Sequence, residues 1–287
     1  MRKAFFCLLT AIVVSGLAAY AGADVYRVGP GEKHTLVSHV TDILQAGDVV
    51  EITGDLTDNF TLKAHGIPGK PITIRGLLSV ENGKQRRPCL RGVSSEKFII
   101  DCSANNIVIE GLEFAGVPLG HEGSNGAVRH NSDNLFIRNC YFHHFGWKCI
   151  IGSPEAGSID IQFCEFEASG SIARNGKPVD IWSWTPGAVM RVEHCYFHDS
   201  LNEAHLKTHC TRNIIRYNWF ENTFQQSIKV TDRIGDYSPK RPEGVYPMHT
   251  DIVGNVFVQG YSPGGRSAVL SIGGAAADEP GTEGDFN

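Results

Sequence analysis

Apolar and polar residues alternate through six phrases of nearly the same form. They run Asn106–Phe114 (NIVIEGLEF), Asn134–Phe142 (NLFIRNCYF), Ser158–Phe166 (SIDIQFCEF), Val189–Phe197 (VMRVEHCYF), Asn213–Phe220 (NIIRYNWF) and Asp251–Phe257 (DIVGNVF). Their closing phenylalanines are 114, 142, 166, 197, 220 and 257, so the intervals are 28, 24, 31, 23 and 37 residues. Alternation with period two is strand periodicity. Self-similarity at such an interval marks a solenoid in which each repeat buries its apolar face against its neighbours. The phrases therefore predict one elongated all-β domain.

A second strand precedes each phrase or follows the one before it. These strands read Ala127-Val128-Arg129, Lys148-Cys149-Ile150-Ile151, Val179-Asp180-Ile181-Trp182, His205-Leu206-Lys207-Thr208, Ser227-Ile228-Lys229-Val230 and Ala268-Val269-Leu270. Side chains alternate faces along a strand. With Val128, Cys149, Ile181, Leu206, Ile228 and Val269 inside, Arg129, Lys148, Asp180, Trp182, His205, Lys207 and Lys229 point outward. Parallel coils stack at about 4.8 Å, which gathers these outward residues into one patch.

The N-terminal part differs. Residues 35–46 carry Leu36, Val37, Val40, Ile43 and Leu44 at helical spacing, Gly47-Asp48 stops the pattern, and Val49–Ile52 reads as a strand. A short helix there would cap an end of the solenoid that otherwise exposes unpaired backbone groups. Gly66–Pro71 reads as a turn before the strand Ile72–Ile74. At the other end, the strand around residues 267–272 runs into Gly273-Gly274-Ala275-Ala276-Ala277 and an acidic tail, with no capping pattern. The domain plan is thus a leader over 1–23, an N-terminal cap and first coils over 24–97, and coils over 98–287 that are expected to be cut short at the C-terminus.

The leader changes the setting. Arg2 and Lys3 precede an apolar run over residues 5–17, followed by small residues around Ala19, Ala21 and Ala23. That is a secretory signal, too short to span a bilayer comfortably. Cleavage after Ala21 or Ala23 would leave a secreted or periplasmic protein without a membrane span. Of eight cysteines, Cys7 departs with the signal. The odd remainder argues against full disulfide pairing. Cys140, Cys164 and Cys195 hold one register in three phrases, which fits a buried column of small side chains. With no CxxC pair, a structural zinc site is not expected. A net charge of −5 argues against nucleic acid as a partner. A monomer is expected.

The segments Ala46–Ile52 (AGDVVEI) and Gly66–Gly76 (GIPGKPITIRG), after a signal and before the coils, resemble secreted right-handed parallel β-helix proteins of the polysaccharide-lyase type. Within that fold, residues 203–232 resemble the catalytic region of the chondroitinase B and alginate lyase group. The resemblance implies cleavage of uronic-acid polysaccharides, often with calcium, by a lysine base with a basic neighbour one coil on. Lys207 matches the lysine, and Lys229 falls near the place of the family's arginine.

The residues point the same way on their own. The predicted patch holds four cations in a chain that is acidic overall, and a cationic stripe with an aromatic suits an acidic linear polymer. β-Elimination of a uronide removes the C5 proton beside a carboxylate, so that charge must be neutralised and the enolate-like transition state stabilised. A lysine among cations has a depressed pKa and can act as the base. Lys207 is assigned as base, Lys229 as neutraliser, and His205 or Arg233 as helper. Arg129, Lys148, Trp182, His209, Tyr237 and His249 are candidate substrate contacts, the last two lying in the long insertion 233–249. If calcium takes part, Asp180, Asn202 and Glu203 are its candidate ligands. The competing readings are a non-catalytic carbohydrate-binding solenoid and a glycoside hydrolase. The latter needs two carboxylates across the scissile bond, and the patch offers only Asp180.

Overall fold

The computed structural model describes residues 22–93, 98–116, 126–169, 177–201, 204–232, 249–259, 268–274 and 285–286. Among them the chain winds as a right-handed parallel β-helix of three sheets with nine, eight and nine strands. Each repeat phrase supplies two of the sheets. Ile107–Glu110 enters the first and Glu113–Ala115 the second, and the pattern recurs through His249–Val253 and Val256–Val258. The strands between phrases form the third sheet, from Phe60–Leu62 and Ile100–Cys102 to Gln226–Asp232 and Ala268–Gly274. That sheet closes with the antiparallel strand Asp285–Phe286.

Register explains why the phrases repeat. In the first sheet Ile74, Ile109, Ile137, Ile161, Val192 and Ile215 align coil upon coil, all buried. In the second, Leu90 is followed by Phe114, Phe142, Phe166, Phe197, Phe220 and Phe257. Their rings stack at 4.6–5.3 Å with nearly parallel planes. In-register parallel pairing puts identical side chains one coil apart, the distance at which flat rings pack face to face with an offset. Cys140, Cys164 and Cys195 form a second interior column, and all seven described cysteines are buried and unpaired. Asn218 and Asn255 continue this column. The side-chain oxygen of Asn218 accepts from the Cys195 amide at 2.9 Å, and its Nδ2 donates to the Val192 carbonyl at 2.9 Å. The amide side chains replace hydrogen bonds that a corner would otherwise leave unmade.

The corner between the first two sheets needs one left-handed residue per coil. Gly111, Asn139, Phe163, His194, Tyr217 and Gly254 hold φ between 52° and 68° there. The cost for the three aromatic residues is offset by a surface stack, Phe163 on His194 at 5.0 Å and His194 on Tyr217 at 5.3 Å. At the turn after residue 65, Gly66 is required for space, because a Cβ there would lie 2.3 Å from the Asn106 carbonyl oxygen.

The N-terminal helix expected over residues 35–46 is a single 3-10 turn at Val37–His39 followed by turns. Three β-branched residues, Val37, Val40 and Thr41, disfavour a longer helix. Asp58 and Asp48 accept the Ser38 and Gln45 amides and fix turns in its place. Val37, Val40 and Leu44 still bury against the core, so the segment covers the end of the solenoid without being an α-helix. Residues 1–21 of the expected leader lie outside the described residues.

Candidate active site on the third sheet

The outer face of the third sheet carries two parallel rows of polar side chains. Registers Asp180↔Lys207↔Lys229 set the first row across three adjacent strands. Two residues further along the same strands come Trp182, His209 and Thr231. The ladder continues to them: the His209 amide donates to the Ile181 carbonyl at 2.9 Å and the Trp182 amide to Gly152 at 3.3 Å. Side chains i and i+2 share a face, so acid, lysine, lysine and tryptophan, histidine, threonine form one grid.

Outward residues on a solenoid are normally solvated. Here Lys207 and Lys229 are each only 4% exposed, Asp180 2% and Thr231 3%. The grid is enclosed. Lys148 joins it from the preceding strand and Lys177 from just before the Asp180 strand, and both are buried. Lys148 Nζ lies 2.6 Å from Asp180 Oδ2, and Trp182 Nε1 donates to Asp180 Oδ1 at 3.0 Å. Burial pushes the Asp180 carboxyl up, but Lys148, Lys177, His209 and Lys207 outweigh it and hold the group well below the ordinary carboxylate range. Asp180 is therefore an anion at the centre of a lysine cluster.

His209 completes the grid. Its ring is fully buried and packs on Trp182 at 4.1 Å between centroids. Nδ1 is 2.9 Å from Thr231 Oγ1, while Nε2 has no hydrogen-bond partner and lies 4.0 Å from Asp180 Oδ1. Burial drives the imidazole pKa down to about 3, so the ring is neutral at pH 7. Trp184 is a packing residue: it is buried and its Nε1 donates to the His209 carbonyl at 3.1 Å.

Several expected residues sit elsewhere. His205 does not face outward with Lys207. It is fully buried at the corner before the strand Leu206–Thr208, near the rings of Phe197 and Phe220, with Nε2 3.0 Å from the Glu221 carbonyl oxygen. The chain is still turning there, so strand parity does not apply. Arg129 lies on the outer row, two strands from Asp180. It pairs with Asp101 and sits over the Phe98 ring. His249 opens a strand of the first sheet, 68% exposed and facing Asp251, away from the grid. The inner row runs Val128, Ile150, Val179, Leu206, Ile228 and Leu270, so Cys149 and Val269 are each one place out of it. The shift at Cys149 is a bulge, since the Cys149 and Ile150 amides both bond to the Pro178 carbonyl. The bulge lets Lys148 reach the outer face. Lys177 and Thr231 escaped the sequence pattern. Lys177 lies before its strand, and a threonine on a sheet face carries no signal of its own.

Arg233, Tyr237, Asn202 and Glu203 lie outside the described residues. Asp180 does not suit a calcium ion in this arrangement, because its oxygens already face Lys148 and Trp182 and a ring of cations surrounds it. Among the described residues no group of three His, Cys, Asp or Glu side chains is placed to hold a metal. No described helix is long and apolar enough to cross a membrane.

The sequence matches no family model and no curated relative. Solved structures similar to the chain include an alginate lyase from Paenibacillus sp. str. FPU-7, 15% identical with a TM-score of 0.44, covering 86% of this chain and 99% of that one. A pectin methylesterase from Aspergillus niger is 11% identical with a TM-score of 0.48, covering 87% and 90%. A PL6 family polysaccharide lyase from Pseudopedobacter saltans is 15% identical with a TM-score of 0.45, covering 85% and 78%. Lyases and an esterase both occur among them, so the chemistry must be read from this chain's own residues.

Proposed function

We propose that the protein is a secreted or periplasmic polysaccharide lyase that cleaves a uronic-acid-containing anionic polysaccharide by β-elimination. The observation that carries this reading is the pair Lys207 and Lys229, side by side on adjacent strands, outward-facing and yet only 4% exposed. Lysines that merely keep a sheet face soluble extend into water. Enclosed ones beside two further lysines concentrate positive charge in a way that suits a carboxylate.

Lys207 takes the C5 proton of the uronate. The electron pair forms the C4=C5 double bond, the C4–O4 bond breaks, and the departing oxygen takes up a proton from water. Lys229, with Lys148 and Lys177, offsets the charge that builds on the carboxylate. Asp180 orients this cation set through Lys148 and through its place beside Lys207. No step is routed through calcium, whose other candidate ligands, Asn202 and Glu203, lie outside the described residues.

The grid also favours this reading over hydrolysis. A hydrolase needs one carboxyl kept protonated as an acid and a second carboxylate across the bond. On the described outer face, Asp101 is paired with Arg129, and Asp180 is paired with Lys148 and held ionised. Product chemistry tests the choice. Elimination releases an unsaturated uronide that absorbs in the ultraviolet, whereas hydrolysis releases reducing ends without it. Incubation with alginate, pectate, chondroitin, dermatan and heparin-type polymers, with and without calcium, should give growing absorbance on at least one. Reducing ends without absorbance would favour a hydrolase, and binding without either product would favour a non-catalytic solenoid.

A further inference from the structure

His209 presents a polar atom for which the described residues provide no hydrogen-bond partner. Its Nδ1 is engaged by Thr231 Oγ1 at 2.9 Å, and its Nε2 is buried and unbonded. Buried polar groups are nearly always satisfied, and an exception calls for a ligand or a functional reason. The nearest acceptor, Asp180 Oδ1, is 4.0 Å away, beyond hydrogen-bond reach, and it is already used by Lys148 and Trp182 through the same carboxylate. Rotation of the imidazole toward Asp180 is resisted by the Thr231 contact on one side and the Trp182 ring at 4.1 Å on the other.

The tautomer follows from these neighbours. Asp180 is an anion facing Nε2, which favours the proton on that nitrogen. Thr231 then donates its hydroxyl proton to Nδ1. The lysines that act on the ring, Lys207, Lys148 and Lys177, oppose a second proton, and burial opposes it more strongly. The result is a neutral imidazole whose fixed N–H points toward Asp180 across a 4.0 Å gap, beside the Trp182 ring.

We propose that His209 Nε2–H is an oxyanion donor of the lyase site, hydrogen-bonding the uronate carboxylate oxygen as it gains charge during C5 proton removal. The inference rests on the lyase reading and adds a catalytic residue to it. A neutral imidazole can serve as such an electrophile without giving up its proton. A donor held unsatisfied in the free protein and satisfied as charge develops favours the transition state over the ground state. Thr231 is then a positioning residue, because its hydroxyl fixes the tautomer.

The test compares wild type with His209→Ala, His209→Gln and Thr231→Val on whichever polymer wild type cleaves, with melting curves as a fold check. Loss of one oxyanion donor lowers kcat by about 10²- to 10³-fold. His209→Ala should show that loss with little change in KM, and His209→Gln, which keeps an N–H, should recover part of it. Thr231→Val should fall in the same direction by less. Nitrogen NMR of the wild-type histidines supplies a readout that needs no variant: the His209 proton should reside on Nε2, and its resonance should move downfield when the polymer is added to Lys207→Ala protein. A folded His209→Ala with wild-type kcat, or a wild-type ring protonated on Nδ1, overturns the inference. If His209→Ala does not fold, the tautomer decides. If wild type yields no unsaturated product on any polymer, the lyase reading itself falls, an outcome separable from an active wild type indifferent to His209.

Discussion

Replacing Asp180 with asparagine removes one charge and almost no volume, and the structure fixes what that should cost. The carboxylate is 2% exposed, and Lys148 Nζ stands 2.6 Å from it. Asparagine can still accept the Trp182 Nε1 bond at Oδ1, so the change isolates the ionic contribution. Stripping one partner from a buried ion pair leaves an uncompensated charge and costs about 3–5 kcal/mol. For a domain of this size each kcal/mol moves Tm by about 2–4 °C. Asp180→Asn should therefore melt roughly 6–20 °C below wild type at pH 7 by circular dichroism. A double-variant cycle sharpens the test. Lys148→Met should cost less in the Asp180→Asn background than in wild type, with a coupling of about 0.5–3 kcal/mol as expected for contacting residues. A Tm drop of under about 2 °C, less than 1 kcal/mol on the same scale, would refute the reasoning. Equal cost of Lys148→Met in both backgrounds would refute it too. Either result would mean that the lysine cluster is solvated.

Other consequences can be checked independently. Phe166→Ala removes a ring stacked at 4.9 and 4.6 Å on both sides and should cost about 3–5 kcal/mol in urea unfolding; a cost under about 1 kcal/mol would mean the ladder is not packed. Burial pushes the His130 and His205 imidazoles down to about 4 and that of His209 to about 3, against 6.5 in the unfolded chain. Between pH 6.5 and 4 the unfolded chain thus binds protons that the native state refuses, and stability falls as pH falls. At pH 5 the loss is on the order of 2 kcal/mol per ring, so urea midpoints should drop clearly between pH 7 and pH 5; a flat profile would contradict the burial. The Asp180 share is different: its folded pKa is depressed below the unfolded value of 3.8, so its contribution is intact between pH 7 and pH 5 and is lost progressively as pH falls below about 4. All seven described cysteines are buried, so native protein should resist thiol alkylation, while unfolding without reductant should release all seven.

How far the sequence disclosed this arrangement can be followed residue by residue. The phenylalanine and cysteine columns were legible because in-register coils impose the same side chain at the same place, and repetition is visible without coordinates. Lys207, Lys229 and Asp180 were legible because strand parity holds in mid-strand. Parity broke at element ends. His205 lies at a corner and turns inward, and the bulge at Cys149 shifts the inner row while carrying Lys148 to the outer face. The apolar stripe over residues 35–46 marked the residues that bury, Val37, Val40 and Leu44, but its period could not reveal that β-branched residues and two aspartate-bonded turns would replace a helix. Enclosure was invisible throughout. A lysine on an outer face reads as solvated whether or not anything covers it, and the pairing of Asp180 with Lys148 depends on coils 32 residues apart in sequence.

The central claim is that Lys207 serves as the base of an elimination on an acidic polymer. It is tested most directly by following ultraviolet absorbance of the unsaturated product with wild type and Lys207→Ala across the uronic-acid polymers. The expected result is absorbance that grows with wild type on at least one polymer and is lost in a variant that still folds. Undiminished growth in Lys207→Ala, or no growth from folded wild type on any of them, would contradict the account.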